Sequence, residues 1–265
     1  MPKPARTAWI AFVLSIVTAG VWAQAIVSDP ENAPRRLVEP DSEFPFVRLA
    51  YSSNNYGRRG GGYGGRRQSW QTDYPDAEYH FTRGVDRLTR VAVAERSKIL
   101  TPLDEAIFDF PWIYAVEVGH WHLDDREAAH IRDYLLRGGF LMVDDFHGTY
   151  EWAAFLVSME RVFPDRPIID IPENDEAFHV IYDLDQRIQI PSRQFIYSGV
   201  TWERDGYTPQ WRGIYDDEGR LMVAINFNMD IGDAWEHADW PDYPENMTAL
   251  AYRFGINYLI YAMTH

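Results

Sequence analysis

Apolar positions follow two rhythms along this chain. Runs that are apolar almost throughout fall at 46–51, 112–118, 140–143 and 221–225. A strand covered on both faces reads this way, so these four are expected inside one sheet. Between them the spacing becomes helical. Ala77, Phe81, Val85 and Leu88 line one face of a segment from about 76 to 90, with Pro75 at its opening. Asp124 and Glu127 form a capping box, Ala128, Ile131 and Leu135 make the stripe behind it, and Gly138-Gly139 ends that helix. Trp152, Phe155, Leu156 and Met159 mark a helix at 149–162. Met247, Leu250, Phe254, Tyr258 and Tyr261 mark the last, at 244–263. Weaker strand signals stand at 91–93 and 168–171, and the turn Asp216-Asp217-Glu218-Gly219 joins 213–215 to 221–225 as a hairpin.

Strand and helix alternating over short connections imply a parallel sheet with helices on both faces. The expected fold is α/β: a three-layer, flavodoxin-like, mainly parallel sheet with an antiparallel hairpin addition, one domain over 44–265. The segment 228–245 reads as an acidic loop.

The first residues change the address. Lys3 and Arg6 precede an apolar run at 8–17, and small residues at Val21-Trp22-Ala23 or Ala23-Gln24-Ala25 suit cleavage. Residues 1–23 are expected to be a secretory signal peptide, since the run is short for a membrane span; an uncleaved anchor is the alternative. The mature chain is then periplasmic or secreted, starts near Gln24 or Ile26, and has no stable membrane insertion. Pro30, Pro34 and Pro40 make 24–43 a linker.

Composition narrows the chemistry. With 46% hydrophobic residues the chain can bury a full core. Acids outnumber Lys and Arg 40 to 25, and a net charge of -15 repels nucleic acid. The cysteine count of 0 excludes disulfides, thiolate metal sites and cysteine nucleophiles. No serine elbow, His-Glu-x-x-His or dinucleotide fingerprint occurs.

Several stretches resemble the bacterial family called domain of unknown function 4159. They are Thr72-Asp73-Tyr74-Pro75, the run from Leu135 through Gly138-Gly139 to Asp144-Asp145-Phe146, Arg161-Val162-Phe163-Pro164-Asp165-Arg166, Gly232-Asp233-Ala234-Trp235-Glu236, and Gly255-Ile256-Asn257-Tyr258 onward to His265. The resemblance covers about 44–265. It implies a fold like that of the class I glutamine amidotransferases and brings no assigned biochemistry. Their nucleophile is a cysteine at a strand-to-helix elbow; here the elbow reads Asp144-Asp145-Phe146-His147-Gly148.

Ligands of open α/β sheets bind beyond the carboxyl ends of the strands. Glu117 and His120 follow one strand, Asp144, Asp145 and His147 the next, and Asn226 a third, with Asp233 and Trp235 just after it. These eight are the candidate ligand-binding residues, for a small polar ligand or a protein partner. His120, Asp144, Asp145 and His147 are also candidate ligands for a divalent cation, as in a metal-dependent hydrolase. Their bland roles are turn caps, an arginine pair and exposed loop histidines. His120-Trp121-His122-Leu123-Asp124-Asp125 approaches a metallo-hydrolase motif but lacks its last histidine, and Asp124 already serves as a cap. The glycine-arginine loop at 57–67 has no phosphate-loop lysine; it is a solvated loop or a docking element of an envelope assembly.

Overall fold

The computed structural model describes residues 42–53 and 68–265. The signal segment, the linker up to residue 41 and the arginine-rich loop lie outside them.

All four apolar runs enter one seven-stranded sheet. They form β1 (Val47–Leu49), β4 (Trp112–Val116), β6 (Phe140–Asp144) and β9 (Leu221–Phe227). Two short strands lie outside them: β2 (Ser52–Ser53) and β5 (Trp121–His122) pair as a separate antiparallel ribbon. With β3 (Lys98–Leu100), β7 (Ile169–Asp170) and β8 (Gln210–Tyr215), the sheet order is β3-β1-β4-β6-β9-β8-β7. The pairs β3-β1, β1-β4, β4-β6 and β6-β9 are parallel. In chain order these five strands run 2-1-3-4-5, the flavodoxin-like order. β8 and β7 extend the sheet antiparallel, as the hairpin signal predicts.

Helices cover both faces, so the fold is three-layer α/β. α2 (Asp125–Leu136) and α3 (Gly148–Val162) close one apolar cluster, built on Ile113, Ala115, Leu141 and Val143. α1 (Asp76–Leu88), α5 (Ile231–Glu236) and α6 (Glu245–Thr264) close the other, on Trp112, Tyr114, Phe140 and Met142. Alternate residues of β4 and β6 point to opposite clusters, as the pleat requires. A further short helix, α4 (Gln194–Ser198), buries none of its residues.

The expected capping box forms: Asp124 accepts from the N–H groups of Arg126 and Glu127, and the Glu127 side chain returns to the Asp124 N–H. Other details differ. Pro75 follows a cis peptide bond and stands one residue before α1, and Leu88 is exposed. At 91–93 there is only an isolated bridge from Val93 to Phe44; the strand comes later, at β3. β3 is an edge strand, with Lys98 half-buried and Ile99 exposed, so it needs no apolar run. The stretch 228–245 is not simply an acidic loop. It contains α5, whose first five residues are all buried.

Candidate functional site

The carboxyl ends of β4, β6 and β9 share one edge, and the backbone there is unusual. Glu117 (φ 53), Asp145 (φ 52) and Asn228 (φ 62) follow those strands, and all three are left-handed. Asp73, before α1, also has φ 60. Non-glycine residues adopt this region at a cost, and such strain gathers where side chains are aimed for function.

The edge holds two groups of side chains. On the face of α1 and α5 lie Asp73, Asp144, Asp230 and Asp233, each buried. Asp144 Oδ2 accepts from the N–H groups of Ile231 and Gly232 at 2.8 and 2.9 Å and from the Tyr114 hydroxyl at 3.2 Å. Asp230 caps α5 through the Asp233 N–H at 2.8 Å, and Asp233 accepts the Arg193 N–H at 2.7 Å. Asp73 Oδ2 and Asp144 Oδ1 are buried with no hydrogen-bond partner. Burial pushes the Asp144 carboxyl up to about 7, against the pull of the hydrogen bonds from Gly232, Ile231 and Tyr114 and of the Asp145 backbone. Burial, then the charges of neighbouring acids, holds Asp73, Asp145 and Asp230 well above the carboxylate range. The buried guanidinium of Arg48, which eases Asp73, is itself committed to Glu78 and to the carbonyls of Trp70 and Thr72.

On the face of α3 lie Glu117, His120, His147 and Glu151, with Arg204. His120 Nε2 stands 3.0 Å from Glu151 Oε1 and 3.4 Å from Glu117 Oε2. Arg204 reaches the same Glu151 oxygen at 2.5 Å, and the His147 N–H donates to Oε2 at 2.6 Å. The bond to Glu151 raises His120. Burial works to raise Glu151, but the His120 and His147 bonds hold it low. Burial lowers His147. Asp145 stands between the groups, its Oδ1 3.2 Å from His147 Nε2.

The eight expected residues therefore do not close around one ligand. Asp144 turns to α5 while His120 turns to α3, across the sheet, so His120, Asp144, Asp145 and His147 share no cation site. Among the described residues, three other sets bring ligand atoms within 4.8 Å: Asp73, Asp230 and Asp233; Asp233, Glu236 and His237; and Glu117, His120 and Glu151. Asn226 is a fully buried tie, donating to the Val143 carbonyl and accepting from the Tyr258 hydroxyl. Trp235 is core: its ring lies 4.3 Å from Phe81 and 5.6 Å from Tyr114, with no face left for a ligand.

Among the described residues, an open space lies between α1 and the end of α5 with the turn after it. A pocket of about 410 Å³ is lined by Asp76, Tyr79, His80, Glu236, His237, Asp239 and Trp240. His80 Nδ1 faces two carbonyls, of Trp235 and Glu236, so that nitrogen carries the proton and Nε2 looks toward Asp239. Burial and Asp233 push Glu236 up to about 7, and burial lowers His237. A pocket of about 460 Å³ sits at the opposite edge, by the β8–β9 turn and His265. The first stands nearer the strand-end acids, since Glu236 and His237 share a ligand set with Asp233.

Sequence reasoning missed Asp73, Asp230, Glu151 and Arg204. Asp73 and Asp230 stood in plain view within a notable motif and an acidic stretch. Glu151 looks like any first-turn acid, and nothing in the sequence marks Arg204.

Fold and edge together define a flavodoxin-like α/β protein with a buried acidic cluster at its strand ends. The family model of the domain of unknown function DUF4159 matches residues 46–263, and the chain belongs to that family. Among curated proteins, none matches the chain.

Proposed function

We propose that this is an exported binding protein that takes a small polar, hydroxyl-rich ligand between α1 and α5 and performs no covalent chemistry on it. The pocket beside Asp233 carries the reading. Its volume falls in the range of small-molecule sites. Tyr79 and Trp240 offer rings for the apolar face of a sugar, and Asp76, Glu236 and Asp239 offer acceptors for its hydroxyls. The elbow after β6 reads Asp144-Asp145-Phe146-His147-Gly148 and has no cysteine, which favours binding over the acyl transfer that the amidotransferase resemblance would bring. Export rests on residues 1–23 alone. Among the described residues no helix is long and apolar enough to cross a membrane.

The test is calorimetry with a panel of mono- and disaccharides, followed by Tyr79→Ala and Asp239→Asn. Both positions are largely exposed, so neither change threatens the fold. Saturable binding that both variants weaken is expected. Binding that ignores both, or hydrolysis of a panel member, contradicts the reading. N-terminal sequencing of protein from its host is expected to find a start near Gln24 or Ile26; a start at Met1 contradicts cleavage.

A further inference from the structure

We propose that Asp73, Asp230 and Asp233 form a site for one hard divalent cation, of the Ca²⁺ or Mg²⁺ kind, at the inner end of the pocket. The proposal builds on the reading of this edge as a binding site and adds a resident ion to it.

Three observations carry it. One carboxylate oxygen from each of the three residues lies within 4.8 Å of the others, and all three side chains are buried. Such a donor set, all oxygen and all anionic, suits a hard cation and not a thiolate- or imidazole-seeking one.

The second observation is unmet bonding. Asp73 is 5% exposed, yet its Oδ2 has no partner. The Asp144 side chain is wholly buried beside the group, and its Oδ1 has none either. Buried carboxylate oxygens are normally bonded, and leaving one unbonded is costly. Asp73 is held in the left-handed region at φ 60, and Gly232 leaves room for its carboxylate: a Cβ at Gly232 would lie 2.4 Å from Oδ2. The chain thus bears backbone strain and gives up a side chain to keep a carboxylate with one unbonded oxygen beside two others.

The third is access. Asp233 also belongs to the set with Glu236 and His237, and those two line the pocket. Asp233 is common to both sets, so it joins the pocket residues Glu236 and His237 to Asp73 and Asp230. Three carboxylates do not fill the six or more positions of such an ion. Water or ligand hydroxyls complete the shell, which joins the ion to a polar ligand in the same pocket.

The experiment is thermal unfolding of the full chain after chelator treatment, with CaCl2 and separately MgCl2. Added to about 10 mM, tenfold above the weakest extracellular Ca²⁺ sites, at least one is expected to raise Tm by about 3–6 °C. Asp73→Asn is the decisive variant because no protein group depends on its Oδ2. It is expected to melt, metal-free, at the same or a higher temperature than the parent and to lose the response. Glu236→Gln is expected to keep it. No rise with either ion, or a rise that survives Asp73→Asn, overturns the site; a rise lost in Glu236→Gln moves the ion to the outer set and overturns the assignment too. The two readings fail separately: sugar binding without any metal response removes the cation alone. A metal response without sugar binding supports the cation and counts against the sugar pocket.

Discussion

Asp73 Oδ2 occupies space that a side chain at position 232 would need, since a Cβ there would come within 2.4 Å of it and 2.7 Å of the Tyr114 hydroxyl. Gly232 also donates its N–H to Asp144. One residue without a side chain thus lets the start of α5 meet β4, β6 and the turn before α1.

Gly232→Ala is therefore expected to destabilise the fold by about 1–3 kcal/mol, the usual cost of overpacking a buried site. Urea unfolding measures it. Parental stability would show that Asp73 moves aside freely.

The Arg48–Glu78 pair gives a second expectation, because both side chains are buried. Arg48→Met leaves the buried Glu78 carboxyl without its partner and is expected to cost about 3–5 kcal/mol. The double change Arg48→Met with Glu78→Leu is expected to recover much of that loss, because it removes the stranded carboxyl. A double variant no more stable than the single would mean that the lost contacts to the Trp70 and Thr72 carbonyls dominate.

Asp144 sets a pH dependence whose sign is fixed by its raised carboxyl, about 7 folded against an ordinary value near 3.8. A raised acid binds its proton more tightly when folded, so its contribution is full below the ordinary value and is lost as pH climbs to 7. Metal-free stability is expected to fall by about 1.4 kcal/mol per pH unit from this group between roughly 4 and 7. The lowered His147 and His237 act in the opposite sense below their ordinary value of 6.5. The clean readout is thus the difference between parent and Asp144→Asn, which keeps an acceptor for the α5 N–H groups. The parent is expected to lose ground to the variant as pH rises from 5 to 7; a constant difference contradicts a raised Asp144.

Two histidines at the same edge should titrate apart. Glu151 raises His120, and burial lowers His147. Imidazole NMR signals are expected to show His120 above 6.5 and His147 below it. Glu151→Gln should bring His120 down. Coincident titrations would mean that the α3 side of the edge is solvated.

Much of the fold was legible because burial on both faces leaves a mark that polar neighbours cannot imitate. β1, β4, β6 and β9 carry that mark. β3 does not, since an edge strand can show Ile99 to water and keep Lys98 half-exposed. α5 was hidden for a different reason. Its six residues are too few for helical periodicity, and its buried Asp233 reads like the exposed acids around it. The strand-end rule places Glu117, Asp144, Asp145 and Asp233 at one edge, and the structure has them there. The rule did not find which face of the sheet each side chain takes, so residues close in sequence were grouped when the pleat parts them. Asp73 joins the edge from a loop 71 positions before Asp144, and only the tertiary fold brings it there.

The carboxyl-terminal edge as the binding face is tested most directly by adding Mn²⁺, a paramagnetic stand-in for the hard cation, to ¹⁵N-labelled protein and following amide line broadening. Signals of Asp73, Ile231, Gly232 and Asp233 are expected to vanish first, and in Asp73→Asn they should persist. Broadening that begins instead at Asp216, Glu218 and His265, or spreads evenly over the exposed acids, would contradict a binding site at the strand ends.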